Sequence, residues 1–295
     1  MFNKFSFNPA YAGLDNAVSI TGVYRKQWAG LTNSPNTQNI SAHMPLYILS
    51  GGIGINVENE SLGLEQNLLA TLSYNFQLPV GKIGVLAIGA SGGIFQKTLD
   101  GSRILTPEGQ YNELTINHND NLPLPTTNVS ELTPTFNAGI YFQTETFEAG
   151  LSATHILEPV ISGTTLSAKI SRNYFFNAAY QFDLLRSITV HPSILIKTDL
   201  IETQMEASVL FEYNENIFVG GSFRGYNTNT IDAASLIVGI RLSEKLKVAY
   251  AYDFTLSDLS LVSTGSHEIL LNYQFGEGIG KGKLPKIIFN PRYIE

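Results

Sequence analysis

The sequence predicts an all-β transmembrane barrel of about fourteen antiparallel strands, of the kind that bacterial outer membranes contain. Apolar residues recur with a period of two, and the links between the apolar segments alternate between short and long. Charged residues make up 15% of the 295 residues, whereas soluble domains carry about 25%. A barrel that presents apolar side chains to lipid and polar ones to a lumen accounts for all three observations.

The last predicted strand, 266–275, shows the alternation most clearly. One of its faces is wholly apolar and ends in an aromatic residue, and the other is mostly polar. On the polar face lies Glu268, and Asp253 takes the same position on the preceding segment. A dry core would not accept these charges unpaired, so we expect them in a wet or plugged lumen. The apolar face consists of Ile269, Leu271, Tyr273 and Phe275.

Fourteen segments follow this rule, and an even number is typical of closed bacterial barrels. Segment 82–97 exceeds the roughly ten residues needed to cross a bilayer, so it is predicted to project beyond it. Pro192 removes a ladder hydrogen bond, which predicts an edge or a bulge there. The segments are 17–26, 36–45, 51–58, 64–77, 82–97, 134–144, 146–156, 169–182, 186–198, 202–213, 216–226, 231–243, 245–254 and 266–275.

The connections predict which way the chain runs. Short periplasmic turns and long outer loops are typical of such barrels, and with this phase both termini lie in the periplasm. The sequence therefore predicts a periplasmic amino-terminal segment 1–16, a barrel over 17–275 and a periplasmic tail over 276–295. The short turns are 79–81, 144–145, 183–185, 214–215 and 243–244, and the long links are 27–35, 99–133, 157–168 and 255–265.

The tail 276–295 has two interpretations. It is rich in Gly and Lys and carries four basic against two acidic residues, which is compatible with a disordered terminus. The apolar run Ile287, Ile288 and Phe289 has no other evident use, which favours a periplasmic handle that binds a partner.

A soluble all-β sandwich or ligand-binding barrel would also alternate with regular turns. It explains less well the low charge and the aromatic residues near strand ends, which form girdles at the two interfaces of a membrane barrel. A spanning helix needs roughly 18 consecutive apolar residues, and the best stretch, 83–95, is interrupted by glycines. Membrane lipid is therefore the expected surrounding.

The sequence shows no arrangement of residues that is typical of a catalytic or cofactor site. There is no cysteine, and the net charge of −7 argues against a nucleic-acid partner. By alternation Ser266 and His267 face opposite sides, so they cannot form a nucleophile–base pair. No two histidines have metal-ligand spacing. The run 89–93 lacks a P-loop lysine, and its glycines are expected to accommodate lumen filling or strand bending. We expect no enzyme, metal or cofactor.

The amino-terminal residues carry a family resemblance. They include Phe7-Asn8-Pro9-Ala10-Tyr11-Ala12-Gly13, then Tyr24-Arg25-Lys26-Gln27-Trp28-Ala29-Gly30, then Pro35, Thr37, Ser41 and Pro45. This pattern closely resembles the signature of the PorP/SprF family of type IX secretion system membrane proteins of Bacteroidota, and 265–275 resembles the family's last strand. Members are exported by a signal peptide. None is visible after Met1, so the numbering is expected to start inside the mature chain.

The resemblance implies an outer-membrane barrel that serves secretion or gliding. Its implied partners are secreted proteins with a type B carboxy-terminal sorting domain, such as gliding adhesins, and the periplasmic ring lipoproteins of the system. The long loops favour cargo binding at the outer loops or lumen mouth, through β-pairing with exposed strand edges. A passive channel for small solutes is the alternative. The bulky residues predicted to face inward favour a filled lumen: Phe175, Leu195, Leu210 and Phe218.

Tyr24, Arg25 and Trp28 also have two interpretations. They could form a binding feature at the outer rim. Alternatively, Trp28 anchors the chain at the membrane interface and Arg25 pairs with the lumen carboxylates Glu268 or Asp253. The first strand would then close against the last through an ion pair that seals the seam.

Overall fold

The fold is a closed antiparallel barrel of fourteen strands, which confirms the predicted class. It is seen in a computed structural model. Every strand pairs with its neighbours in sequence, and the first strand pairs with the last, from Val18 opposite Phe275 to Lys26 opposite His267. The structure describes residues 2–112, 116–119, 124–162, 167–227 and 230–276.

The barrel strands are numbered here in chain order. They are β1 (Val18–Lys26), β2 (Asn36–Leu46), β3 (Gly51–Leu62), β4 (Glu65–Val80), β5 (Gly84–Asp100), β6 (Asn128–Thr144), β7 (Phe147–Thr154), β8 (Asn173–Tyr180, continued by Phe182–Leu185), β9 (Ile188–Thr198), β10 (Thr203–Tyr213), β11 (Ile217–Arg224), β12 (Ala233–Arg241), β13 (Leu246–Thr255) and β14 (Ser266–Phe275).

The remaining elements are short. Single 3-10 turns cover Lys4–Ser6, Pro9–Tyr11, Tyr47–Leu49, Gly101–Arg103 and Asp258–Leu261, and two small hairpins pair Gln110–Tyr111 with Ile116–Asn117 and Val160–Ser162 with Ser167–Lys169. In the described part of the chain, no helix has the length and apolar character needed to cross a membrane.

The side chains are distributed the opposite way from those of a soluble protein. On β14 the apolar face is the exposed one, and Leu271 is 51% exposed. Small polar side chains such as Ser19, Ser41 and Thr135 are buried in the interior. This distribution is expected where lipid is the outer solvent, because apolar surface is then favourable on the outside.

The two ends of the barrel differ in their connections, as the sequence predicts. We call the end where β1 begins the short-turn end and the opposite end the loop end. Two tight turns, 63–64 and 199–202, also lie at the loop end. That the short-turn end faces the periplasm stays a prediction. The short-turn end carries 47–50, 81–83, 145–146, 186–187, 214–216 and 242–245, and the loop end also carries 27–35, 101–127, 155–172, 225–232 and 256–265.

Several strands depart from the predicted bounds by a few residues. The third strand continues to Leu62, and β6 begins at Asn128 rather than at residue 134. As expected from its length, β5 is long, with 17 residues. The irregularity predicted at Pro192 is a break in the neighbouring strand, because the pairing of β8 with β9 stops at Ser193 and resumes at Val190.

Candidate functional site

Residues 2–17 lie inside the lumen, near the short-turn end, and we call them the plug. The sequence predicts a separate segment before the barrel, and its motif turns out to fill the interior. Asn8, Ala10 and Ala12 are fully buried. The Asn8 side chain accepts a hydrogen bond from the Ala10 amide at 3.0 Å, and Pro9 follows at the first position of the turn. Both residue types suit the start of a helical turn.

Side-chain amides fix the plug to the barrel wall. Asn8 Nδ2 donates to the carbonyl oxygens of Ile140 and Leu151, at 3.2 and 3.3 Å. Asn75 Nδ2 donates to the Ala12 carbonyl at 2.7 Å, and Gln77 reaches the same oxygen at 3.1 Å. The peptide groups of the motif are therefore paired although they lie away from bulk water.

Glycines in the wall give the plug its space. A Cβ on Gly139 would lie 2.1 Å from Asn8 Oδ1, and one on Gly89 would lie 2.6 Å from the Ala10 Cα. A Cβ on Gly52 would lie 2.0 Å from the Ala12 carbonyl oxygen. Of the two roles expected for the glycines of 89–93, lumen filling or strand bending, the close approach of Ala10 to Gly89 supports the first at that position.

The end of the plug forms a small polar cluster. The Tyr11 hydroxyl donates to Asp15 Oδ1 at 2.7 Å, and Gln274 donates to Asp15 Oδ2 at 3.2 Å. Burial raises the pKa of Asp15, but His43, the Tyr11 hydroxyl and Lys4 together hold that pKa below its usual value. Asp15 is therefore expected to be ionised in the plugged barrel.

Beside the plug lies a cavity of about 340 Å³, which we call the side cavity. Plug residues Phe2, Phe7 and Leu14 line one wall, and β6–β11 line much of the other. It reaches the short-turn end at 144–147. Of the bulky residues predicted to face inward, three line the cavity: Leu195, Leu210 and Phe218. The fourth, Phe175, stacks on Phe7 with ring centroids 5.4 Å apart.

The loop end of the lumen holds an ion network that crosses the seam between β1 and β14. Arg25 contacts Asp253 at 2.6 Å and Glu268 at 2.9 Å. Arg224 contacts Glu206 at 2.9 Å, and it lies 3.5 Å from Asp253. The structure therefore brings together three of the residues singled out by sequence, Arg25, Asp253 and Glu268.

The other candidates are placed differently. Tyr24 is on the outer face of β1 and is 42% exposed, so it does not join Arg25. Trp28 follows β1 with a positive φ of 50°, and its amide donates to Ser266 Oγ at 3.0 Å. Trp28 therefore lies where the loop after β1 meets the start of β14. Ile287, Ile288 and Phe289 lie outside the described residues.

The loop end also has an unpaired strand edge. β6 pairs with β5 along its whole length, but with β7 only from Ala138 onward. The backbone between Asn128 and Asn137 makes one further backbone hydrogen bond among the described residues, from the Ile156 amide to the Phe136 carbonyl at 2.9 Å. Peptide groups alternate in direction along a strand, so those of Leu132 and Ser130 point the same way as that of Phe136.

The position of Pro134 supports the conclusion that the peptide groups on this side of β6 have no strand partner among the described residues. It lies on the same side of the alternation, so its missing N–H faces the unpaired edge, where proline is tolerated. A closed barrel normally leaves no edge, and here one arises because β6 is longer than β7. The sequence could not show it, because alternation reports the face of a side chain and not the length of the neighbouring strand.

Ser266 and His267 are adjacent at the start of β14. Ser266 is buried and accepts from Trp28, whereas His267 Nδ1 lies 2.7 Å from the Tyr250 hydroxyl on the outside, so the two do face opposite sides. Across the described ranges, no three His, Asp or Glu side chains are arranged to hold a metal ion.

Comparisons with known proteins bear on this arrangement. A family model described as type IX secretion system membrane protein PorP/SprF matches residues 1–273. No curated protein matches the sequence.

Two solved structures illustrate the likeness of the fold. The outer membrane protein Omp33 of Acinetobacter baumannii has a TM-score of 0.50 at 9% identity, over 88% of this chain and 98% of that one. The toluene transporter TbuX of Ralstonia pickettii has a TM-score of 0.54 at 11% identity, over 92% of each chain. At such identities the likeness supports the barrel fold alone.

Proposed function

Since the chain belongs to the PorP/SprF family of type IX secretion system membrane proteins, we propose that it is a non-enzymatic outer-membrane holder for secreted proteins. The cargo class is proteins with a type B carboxy-terminal sorting domain, such as gliding adhesins. The loop end faces the cell exterior in this proposal and anchors the cargo there. The short-turn end faces the periplasm and is available to the ring lipoproteins of the system.

The observation that carries the proposal is the unpaired edge of β6. Between Asn128 and Thr135 the peptide groups on that side of β6 have no strand partner among the described residues, and Val160–Ser162 packs against β6 without pairing with it. This edge lies at the end of the barrel where exported protein would emerge. Strand addition to such an edge gives affinity through main-chain hydrogen bonds, with specificity from alternate side chains. The cargo would supply an extended strand that continues the sheet beyond β6.

Proline substitution on the edge tests this proposal. Leu132→Pro removes an N–H that points away from β5, so the β5–β6 ladder should stay intact. The cargo strand would then leave an acceptor unpaired, at a cost of about 1–3 kcal/mol, and surface retention of cargo should fall about tenfold or more. Retention is measured on cells with a fluorescent protein fused to a type B sorting domain.

Leu132→Ala is the matched control, because it shortens the same side chain and keeps the N–H. It should retain cargo as the unsubstituted barrel does. Equal retention by the proline and alanine variants, with both barrels folded, would remove the edge from the mechanism. Replacing 101–127 with a short turn separately tests the long loop without cutting into β5 or β6.

A passive channel is the second candidate, and the side cavity is the observation that favours it. The plug argues against it, because fully buried residues of the plug occupy the lumen beside that cavity. Reconstitution in a planar bilayer separates the two candidates. We expect the intact barrel to conduct negligibly, and a steady ohmic conductance would favour the channel.

A further inference from the structure

Two residues that line the side cavity carry buried side-chain oxygens with no hydrogen-bond donor among the described residues. Gln143 Oε1 and Asn177 Oδ1 accept no hydrogen bond in the described part of the chain, and both residues line the cavity. Gln143 is 6% exposed and Asn177 is 7% exposed. Buried acceptors without donors are unfavourable, so two in one cavity point to a ligand that supplies N–H groups.

The cavity lining is acidic. Five carboxylates and two lysines line it, which gives a formal charge of −3 with His191 neutral. Arg224 and Arg241 pair with two of these carboxylates from behind the lining, which leaves −1. At the mouth, Glu145 makes no ion pair within the described residues. A cationic ligand is therefore favoured over an anionic one, and most strongly at the mouth.

The carboxy-terminal segment 277–295 has the matching chemistry. It carries four basic and two acidic residues, whereas the chain as a whole has a net charge of −7. The rest of the protein therefore carries −9, since −7 minus +2 is −9. Lysine and arginine supply N–H donors and no acceptors.

The segment also starts in the right place. β14 ends at Phe275 at the short-turn end, and Gln274, one residue earlier, already lines the side cavity. The nineteen residues from 277 to 295 could span about 60 Å if extended, at roughly 3.3 Å each. Every part of the cavity is within reach of that length.

The segment repeats the motif of the plug. Phe289-Asn290-Pro291-Arg292-Tyr293 matches Phe7-Asn8-Pro9-Ala10-Tyr11 at four of five positions. In the plug these aromatic residues pack on lumen rings, with Tyr11 and Tyr141 centroids 5.0 Å apart. Ala10 is fully buried against Gly89, so an arginine cannot take its place. The second motif therefore fits beside the plug rather than instead of it.

We propose that the side cavity is a binding site for this chain's own carboxy-terminal segment 277–295. The basic side chains of the segment face the acidic lining, and its N–H groups pair with Gln143 and Asn177. In this arrangement the lumen is filled from both ends of the chain, and the site is independent of where cargo binds.

The test uses the full chain and a chain that ends at Gly276, both in detergent, with a fluorescent synthetic peptide of residues 281–293 as the probe. The shortened barrel should bind the peptide saturably. The full chain should bind it at least about tenfold more weakly, because a tethered segment competes at high effective concentration. Equal binding by the two chains, or no saturable binding to the shortened one, would overturn the proposal.

Variants of the shortened chain locate the site. Gln143→Met removes an acceptor with little change in size and should weaken peptide binding several-fold, whereas Gln96→Met at the loop end should not. Glu145→Lys at the exposed mouth is the second variant, chosen because it leaves the buried wall unchanged, and it should also weaken binding. Unchanged affinity in both Gln143→Met and Glu145→Lys would place the peptide elsewhere and reject the side cavity.

Discussion

The two halves of the barrel share an outer surface but differ inside. The inner face of β2–β7, which we call the plug half, carries glycines and amides that contact residues 2–17. The inner face of β9–β13, the charged half, carries His191, Glu212 and Arg224 and borders the side cavity. Both halves expose aliphatic and aromatic residues outward.

This difference separates two influences on the sequence. Lipid constrains the outer positions of every strand in the same way, so alternation is found around the whole barrel. What fills the lumen constrains the inner positions, so glycines and side-chain amides occur where the plug packs closely, and ion pairs of the charged half border the side cavity. The residue types on the inner face of a strand therefore indicate what lies next to it in the lumen.

The largest effect is expected from breaking the plug half. Gly139→Val places a branched side chain where Asn8 Oδ1 lies, 2.1 Å from the ideal Cβ position. Overpacking of this kind costs about 1–3 kcal/mol, and the plug should leave its site. Thermal unfolding should shift down, and conductance in a planar bilayer should rise from negligible to measurable.

Gly22→Val is the control, because nothing lies within 4 Å of a Cβ built at that position. It should keep both the unfolding temperature and the low conductance. If Gly139→Val behaved like Gly22→Val, the plug would not depend on close contact with β6.

An intermediate effect is expected from breaking the charged half. Arg224→Met leaves Glu206 and Asp232 without this cation, and hydrogen bonds to charged groups contribute about 1.5–3 kcal/mol each. The free energy of unfolding, measured by denaturant titration, should fall by about 2 kcal/mol. The plug and the low conductance should be retained. Lys169→Met removes the exposed partner of Glu158 in a loop, and no measurable change is expected there. A larger loss for Lys169 than for Arg224 would contradict the assignment of the network.

The smallest effect is expected in the pH dependence of the unfolding temperature, through Asp15 of the plug. Because the folded pKa of Asp15 is lowered, its ionised form adds stability above the unfolded pKa of about 3.9. That contribution is lost as the pH falls through the lower folded value. Unfolding temperature should therefore decline more steeply below about pH 4 in the unsubstituted chain than in Asp15→Asn.

Asp258→Asn controls for the loss of one charge, since Asp258 is exposed at the loop end. Parallel pH profiles for the unsubstituted chain and Asp15→Asn would mean that the plug does not depend on this carboxylate.

Most of the strands could be predicted because alternation between two solvents is a local property. The last strand, 266–275, was predicted with the bounds that the structure has. The early start of β6 at Asn128 could not be predicted, because the first residues of the strand are mostly polar and are typical of a loop. The break in β8 was foreshadowed by Pro192 on the neighbouring strand, because a missing N–H disrupts pairing.

The site was less predictable because it depends on contacts far apart in sequence. The ion pair between Arg25 and Glu268 could be expected, because closure of the barrel places the first strand beside the last. The position of the plug could not be predicted. The pair Asn8-Pro9 predicts a turn, but it does not indicate where in the fold that turn lies. One signal was available: inward glycines such as Gly139 and Gly150 in β6 and β7 indicate that backbone approaches closely.

The pairing of β1 with β14 has a consequence for biogenesis. The two strands are the most distant in the polypeptide, so the cylinder stays open until the final hairpin has been delivered. The plug directly precedes β1 and is therefore at hand when the gap is sealed. Folding of this kind depends on contacts of very high sequence separation, which makes it slow, and a machine that assists closure would act on this one pair of strands.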